Sequence, residues 1–322
     1  MKTRGGLEDM IPVLAMYALG GYKLMPSLQE IYKQLAEIKG HKSALDAIQK
    51  DINLLNSLYS LSANADKKIT VESCIELREI RFSYPETSKS VLDGISLKVA
   101  RNSTVGFVGG SGSGKTTTVD IMLGLLNPAA GGLYVDDKRI VDETIHAWQR
   151  NLGYVPQQIF LTDDTIAANI AFGIPAEDID QANIERAARA AHLHDFIINE
   201  LPIGYNTMVG ERGVRLSGGQ RQRIGIARAL YHDPDVLIFD EATSALDNIT
   251  EKVVMDAVRE LGHTKTIILI AHRLSTVESC DELFLFSNGK IIANGTYQEL
   301  MQTNATFREM ARSTKPVDGN IN

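Results

Sequence analysis

The feature that most constrains the fold is a glycine-rich segment at residues 109–117, which has the sequence Gly-Gly-Ser-Gly-Ser-Gly-Lys-Thr-Thr. It matches the phosphate-binding loop pattern G-x-x-x-x-G-K-S/T. Residues 104–108, before it, are mostly β-branched or aromatic and predict a buried strand. Residues 117–126, after it, have apolar side chains at helical spacing and predict a helix that Asn127 and Pro128 close. A strand, a glycine loop and a helix in this order are the context that such a loop needs.

The chemistry of this loop follows from its glycines, which let backbone N–H groups approach phosphate oxygens at the positive end of a helix. We expect Lys115 to reach the β- and γ-phosphates and the Thr116 hydroxyl to bind Mg²⁺. The segment therefore predicts a site for a nucleoside triphosphate. Its expected binding residues are Gly109, Gly110, Ser111, Gly112, Ser113, Gly114, Lys115, Thr116 and Thr117.

Polar side chains follow two further apolar runs. Residues 236–239 are apolar at every position, which is typical of a central parallel strand covered on both faces, and they are followed by Asp240 and Glu241. Residues 266–270 predict a second buried strand, which is followed by Ala271 and His272. Because ligands of open α/β sheets bind at the carboxyl ends of the strands, we expect these side chains to converge on Lys115 and Thr116.

Each of these side chains has an expected role. Asp240 would hold Mg²⁺, in part through water, because this ion keeps much of its hydration shell. Glu241 would orient and deprotonate a water for attack on the γ-phosphate. His272 would hydrogen-bond the γ-phosphate or that water. A single Asp-Glu pair or histidine is more often surface charge or a core residue, but their joint occurrence after apolar runs favours a site.

Composition narrows the class of protein. The chain has 322 residues and a formal net charge of −7, which argues against nucleic acid as a partner. Its two cysteines, Cys74 and Cys280, fit no metal-ligand or disulfide spacing and indicate a reducing compartment. The N-terminus lacks the pattern of a secretory signal.

The chain is predicted to have two parts, a helical segment at 1–62 and a domain at 72–315, with a linker at 63–71 and a tail at 316–322. Within the first part, residues 10–22 form a charge-free stretch of about 13 residues, shorter than the ~20 that span a bilayer. A buried or partner-packed helix is the competing interpretation. From Leu28 to Leu58, apolar residues recur at intervals of three and four and predict a long amphipathic helix with a break near Gly40.

The second part is predicted to be an α/β domain. Residues 75–84 and 91–99 alternate and predict an antiparallel β unit. Residues from about 166 to 230 are mostly helical in pattern, within a predicted helical subdomain at about 160–230, and Asn288 opens a hairpin before a closing helix. Tyr84, beside the first turn, is either a half-buried strand residue or a platform on which a base stacks.

Five segments of this part, in their order, resemble the nucleotide-binding domain of ATP-binding-cassette proteins. They are the glycine loop, Leu216-Ser217-Gly218-Gly219-Gln220, residues 236–241 (Val-Leu-Ile-Phe-Asp-Glu), Ser244-Ala245-Leu246-Asp247 and Ala271-His272-Arg273. The resemblance covers about residues 72–315. It implies a P-loop NTPase (RecA-like) core with an antiparallel β subdomain and a helical subdomain, here preceded by the N-terminal helical segment.

The resemblance also implies roles for single residues. Tyr84 would stack on adenine, Gln157 would reach Mg²⁺ and the γ-phosphate, and Asp247 would lie at a dimer seam. The active unit of the family is a head-to-tail pair, a homodimer or heterodimer, with ATP between the phosphate loop of one domain and four residues of the other. Those four residues here are Ser217, Gly218, Gly219 and Gln220. The implied catalytic residues are Lys115, Gln157, Glu241 and His272, and the implied Mg²⁺ ligands are Thr116, Gln157 and Asp240.

Residues 165–173 and 209–214 are similar to segments of exporter-type domains that contact the transmembrane part. The opening segment resembles the last transmembrane helix of half-transporters and, more narrowly, bacterial flippases for lipid-linked oligosaccharides. The resemblance implies an ATPase at the cytoplasmic face of the inner membrane that works with a transmembrane domain or subunit. Because a half-transporter has more membrane helices before this point, we expect either a fragment or a separate membrane domain. The alternative is a soluble cassette ATPase that acts as a mechanical clamp, although the coiled-coil insertion or second cassette usual in such clamps is not found here.

Overall fold

A computed structural model of the chain describes residues 7–62, 68–85, 90–210, 213, 216–242, 248–262, 264–271 and 273–313. The chain divides into two units, Met1–Asn64 and Ala65–Asn322. The finer domain limits given above stay a prediction.

The first unit contains one long helix, α1 (Leu7–Ser62), which includes Pro12 and Pro26. The predicted break near Gly40 is wrong, because α1 continues through this residue. An isolated glycine costs a helix about 1 kcal/mol relative to alanine but keeps its N–H donor, so it need not end the helix. Across the described residues, no helix combines the length and the apolar character that a membrane crossing requires.

The second unit is built around two sheets. Its strands are β1 (Cys74–Phe82), β2 (Leu92–Ala100), β3 (Thr104–Gly109), β4 (Ala130–Val135), β5 (Lys138–Arg139), β6 (Leu152–Val155), β7 (Val236–Asp240), β8 (Thr266–Ile270), β9 (Glu282–Ser287) and β10 (Lys290–Gly295). Its described α-helices are α2 (Lys115–Met122), α3 (Ile145–Gln149), α4 (Ile166–Ile170), α5 (Gln181–Ala190), α6 (His194–Glu200), α7 (Gly218–Leu230), α8 (Asn248–Gly262), α9 (Tyr297–Thr303) and α10 (Ala305–Ser313).

The larger sheet has the strand order β10-β9-β3-β8-β7-β6. Strands β9, β3, β8, β7 and β6 are parallel, and β10 pairs with β9 as an antiparallel hairpin. The predicted hairpin at Asn288 is confirmed, since Asn288 and Gly289 both take positive φ values, 48° and 74°, in its turn. The carboxyl ends of β3, β7 and β8 therefore lie at one edge of the sheet, as the sequence predicts.

The smaller sheet is antiparallel and has the order β2-β1-β4-β5. The predicted pairing of β1 with β2 is confirmed. Strands β4 and β5, which were not predicted from the sequence, extend this sheet beyond β1. The fold is thus a mixed α/β structure, in agreement with the predicted class.

Alternating side chains of the central strands divide the core into two layers. On β8, Ile268 and Ile270 face a cluster that also holds side chains of the smaller sheet and of α2. Ile267 and Leu269, on the other face, join a cluster formed largely by helical residues, including those of α5 and α7. Because both faces of β8 are buried, its sequence is apolar after the first residue, as expected for a central parallel strand.

The helix after the glycine loop ends at Met122, four residues earlier than the sequence predicts. Gly124 takes φ +69°, and a Cβ there would lie 2.2 Å from Ile145 Cδ1. The buried indole N–H of Trp148 donates to the carbonyl of Met122 (2.7 Å), which satisfies one of the free carbonyls at the helix end. Tertiary contacts with α3 therefore decide where α2 stops.

Asp136, in the turn between β4 and β5, anchors the start of β1. Its carboxylate accepts hydrogen bonds from the backbone N–H groups of Glu72 (2.7 Å), Ser73 (2.7 Å) and Cys74 (2.9 Å). Partial burial raises the pKa of Asp136, but these three donors outweigh it and the net pKa is lowered.

We expect Asp136→Ala to lower the free energy of unfolding by about 1–3 kcal/mol at neutral pH, because three N–H groups lose a charged acceptor. A lowered carboxyl pKa stabilises the fold above the unfolded-state pKa, so the difference from wild type should shrink as the pH falls below 3.8. Urea unfolding at several pH values measures this. Asp136→Asn, which keeps one acceptor oxygen, should be intermediate, and a difference that grows at low pH would contradict the argument.

Candidate functional site

The glycine loop connects β3 to α2 in a backbone conformation that leaves no room for a side chain at two of its glycines. Gly109 takes φ +152°, and a Cβ there would lie 2.4 Å from the carbonyl oxygen of Phe286. Gly114, which immediately precedes α2, takes φ +105°, and its Cβ would lie 2.6 Å from Leu92 Cδ2. The backbone thus wraps closely at the N-terminus of α2, where N–H groups have no partner within the helix and attract anions.

Lys115 lies inside this loop and is only 5% exposed. Its ammonium group donates to the carbonyls of Gly109 (2.9 Å) and Gly110 (3.0 Å). Burial lowers the pKa of Lys115, while the nearby carboxylates of Glu241 and Asp240 oppose that shift. A buried ammonium gains from an anionic partner, so this arrangement suits a phosphate.

Tyr84 lies beside the same loop. Its hydroxyl is 3.3 Å from Thr117 Oγ1, and its ring packs edge-on against Phe82 with centroids 5.0 Å apart. Tyr84 is 40% exposed, so part of this residue beside the loop is accessible to solvent. Thr116 lies next to Lys115 in the first turn of α2.

Asp240 and Glu241 lie at the carboxyl end of β7. Asp240 is 9% exposed, and burial together with the charge of Glu241 raises its pKa. Glu241 takes φ +50°, a left-handed conformation that is uncommon for residues other than glycine, and its N–H donates to Ile270 O (3.0 Å) on β8. Strand β7 therefore ends at Asp240, and Glu241 begins the segment after it. Left-handed backbone conformations of residues other than glycine are concentrated at functional sites.

The structure brings Gln157, just after β6, to Glu241. The amide Nε2 of Gln157 donates to Glu241 Oε2 at 2.7 Å. Lys115, Gln157, Asp240 and Glu241, which come from three separate stretches of the chain, therefore meet at one edge of the larger sheet. His272 and Asp247 lie outside the described residues.

The Leu-Ser-Gly-Gly-Gln segment lies on a different element, at the start of α7. Ser217 caps this helix: its hydroxyl accepts from Gln220 N (3.2 Å), and Gln220 Oε1 accepts from Ser217 N (2.7 Å). This reciprocal capping box fixes the first turn, with Gly218 exposed and Gly219 buried.

Two residues near Asp240 were not predicted from the sequence. Tyr154, on β6, donates its hydroxyl proton to Asp240 Oδ2 (3.3 Å), and burial together with the Asp240 charge raises the pKa of Tyr154 to about 12. Asp120, on α2, has a pKa raised by burial, and its charge raises the pKa of Asp240. Tyr154 comes three residues before Gln157, but that spacing alone does not show which strand lies beside β6.

The donor atoms of the predicted Mg²⁺ ligands are of the kind that this ion binds. They comprise the hydroxyl of Thr116, the amide oxygen of Gln157 and the carboxylate of Asp240, and Mg²⁺ prefers such hard ligands. Among the described residues, no group of three or more His, Cys, Asp or Glu side chains could hold a metal ion by itself. This is compatible with Mg²⁺, which is usually bound by one or two carboxylates together with water and substrate phosphates.

Comparison with known proteins gives the same family as the five segments. Residues 92–244 match the family model described as ABC transporter. The ATP-dependent lipid A-core flippase of Saccharophagus degradans is 44% identical over 283 residues, which are 88% of this chain and 48% of that protein. Multidrug resistance protein 1 of Entamoeba histolytica is 38% identical over 287 residues, 88% of this chain and 22% of that protein.

A solved structure, described as a bacterial Atm1-family ABC exporter with ATP bound, is similar with a TM-score of 0.70 and 37% identity. The similarity covers 79% of this chain and 44% of that one. The chain therefore spans less than half the length of each of these three proteins. The resemblance seen in the sequence is confirmed: the chain contains an ABC transporter domain, and its relatives include a flippase and an ABC exporter.

Proposed function

We propose that this chain binds and hydrolyses ATP with Mg²⁺ and thereby drives an exporter or flippase. The observation that carries the proposal is the meeting of Gln157 and Glu241, 2.7 Å apart, at the sheet edge that also holds Lys115 and Asp240. A carboxylate held by an amide, beside a buried ammonium in a glycine loop, is a site for activating water next to phosphates.

In this proposal, the loop N–H groups and Lys115 bind the phosphates. Glu241 accepts a proton from the attacking water, and Gln157 holds the Glu241 carboxylate in place. Asp240, Gln157 and Thr116 would hold Mg²⁺, which supplies neutralisation of phosphate charge when bound. Tyr84 stacks on the adenine ring, and His272 contacts the γ-phosphate or the water.

The site is completed by a second nucleotide-binding domain. The N-terminus of α7, with Ser217, Gly218, Gly219 and Gln220, is an anion-attracting helix end on a different element from the loop. We propose that it binds the ATP held by the phosphate loop of its partner, with Asp247 at the seam between them.

The transport role is supported by the names of the relatives, a lipid A-core flippase and a multidrug resistance protein. We propose that the chain works at the cytoplasmic face of a cell membrane with a transmembrane domain, and that closing and reopening of the domain pair moves a lipid-linked or amphipathic substrate. The soluble clamp is not favoured, because one of these relatives is a flippase by name and the solved structure is described as an ABC exporter.

The shared site has a kinetic consequence that tests the proposal. We expect Mg²⁺-dependent phosphate release from ATP to rise faster than linearly with protein concentration in detergent-free solution, because two chains must meet to complete a site. Phosphate release and light scattering are measured on the same dilution series. A rate strictly proportional to concentration, from protein that scatters as a monomer throughout, would contradict a site made by two chains.

A further inference from the structure

The hydroxyl of Tyr154 approaches Asp240 because of the register between two parallel strands. Tyr154 on β6 pairs with Ile238 on β7, and Asp240 lies two residues further along β7. Side chains two residues apart in a strand lie on the same face, so Tyr154 and Asp240 share a face of the sheet. The long tyrosine side chain bridges the remaining distance and donates to Asp240 Oδ2 at 3.3 Å.

The hydrogen-bond donor to Asp240 is a neutral hydroxyl, and its lack of charge is important beside a predicted Mg²⁺ ligand. The negative charges of Glu241 and Asp120 raise the pKa of Asp240 and so disfavour its ionised form, whereas the positive charge of Lys115 lowers this pKa. A second cation beside Asp240 would neutralise the charge that attracts Mg²⁺. A tyrosine hydroxyl holds the carboxylate without adding a charge.

We propose that Tyr154 is a positioning residue: its hydroxyl holds one carboxylate oxygen of Asp240, so that the other oxygen is the one offered to Mg²⁺. The inference rests on the proposed function of this site. An aspartate χ2 angle has a broad, roughly two-fold distribution, so a carboxylate without a donor samples many orientations. If the Asp240 carboxylate is already oriented before Mg²⁺ binds, less conformational entropy is lost on binding.

Tyr154→Phe isolates this role. Tyr154 lines an open groove of about 700 Å³ and is 36% exposed, so removal of the hydroxyl should leave the packing of the ring unchanged. We expect the variant to bind a fluorescent ATP analogue as wild type does in EDTA. The additional affinity gained with Mg²⁺ should fall by about threefold to tenfold, the loss of a single hydrogen bond.

Steady-state ATP hydrolysis gives a second readout. We expect the apparent KM for Mg²⁺ to rise by a similar factor in Tyr154→Phe, with kcat changed by less than about twofold, because the hydroxyl acts on cation binding through Asp240. Tyr134→Phe is the matched control. Tyr134 lies on β4 beneath Arg78, in the smaller sheet, and its variant should match wild type in both assays.

A double-mutant cycle with Asp240→Asn tests whether the effect passes through Asp240. Asp240→Asn should lose most of the Mg²⁺-dependent affinity, and adding Tyr154→Phe should then change nothing further. The inference is overturned if Tyr154→Phe keeps the wild-type Mg²⁺ dependence, if its defect persists at full size beside Asp240→Asn, or if binding in EDTA weakens equally. Thermal unfolding of each variant without nucleotide accompanies these assays, and a Tyr154→Phe chain that does not fold would also overturn it.

Wild-type protein in the same experiments separates this inference from the proposed function. If wild type shows neither Mg²⁺-dependent binding nor turnover, the proposed function itself fails. If wild type shows both and Tyr154→Phe is indistinguishable from it, only the role of Tyr154 is lost.

Discussion

Replacing Glu241 with glutamine should abolish multiple turnover of ATP while leaving ATP binding intact. Glutamine has nearly the same shape, and its carbonyl oxygen can still accept the 2.7 Å hydrogen bond from Gln157. It cannot take a proton from water, so we expect kcat to fall by about 10²–10⁴-fold, the usual contribution of a general base. Binding of a fluorescent ATP analogue should stay within about threefold of wild type.

The matched control is Glu177→Gln, a substitution of an exposed carboxylate in the short helix at Ala176–Asp178. It should hydrolyse ATP at the wild-type rate. Repeated turnover by Glu241→Gln at close to the wild-type rate would remove Glu241 from the role of base, and the water would then have to be activated by another group.

Lys115→Met should have the largest effect on binding. Methionine is a flexible side chain of similar length, so it can fill the space inside the loop without the charge. The variant loses charge-assisted hydrogen bonds to phosphate, which are worth about 1.5–3 kcal/mol, so we expect ATP to bind roughly 10- to 150-fold more weakly. Hydrolysis at saturating ATP should fall as well, because the ammonium also stabilises charge that develops during phosphoryl transfer.

The fold of Lys115→Met should survive without nucleotide. The variant loses the hydrogen bonds that Lys115 donates to the carbonyls of Gly109 and Gly110. It also no longer buries a charge, and in the wild-type protein that burial is unfavourable, since it lowers the pKa of Lys115. Lys252→Met, on the exposed side of α8, is the control for loss of a positive charge. Fluorescence titration of all three proteins measures the effect, and wild-type affinity in Lys115→Met would argue against a phosphate site in the loop.

The sequence by itself determined the elements that carry the site. The glycine loop, the strand before it and the apolar run that ends at Asp240 are local patterns, and each depends on residues that are close together in the chain. Because parallel strands of an α/β sheet present their carboxyl ends at one edge, these patterns were enough to predict that Lys115 and Asp240 lie near each other. The five motif segments also identified the family.

Tertiary structure decided what local patterns do not contain. Gln157 and Glu241 are 84 positions apart in sequence, and Tyr154 and Asp240 are 86 apart, so their hydrogen bonds depend on β6 pairing with β7 in one register. A shift of one residue would have turned Tyr154 to the other face of the sheet. The end of α2 at Met122 was likewise set by contacts with α3. Periodicity shows which face of an element is buried, whereas the neighbour against which it is buried is chosen by the packing of the whole domain.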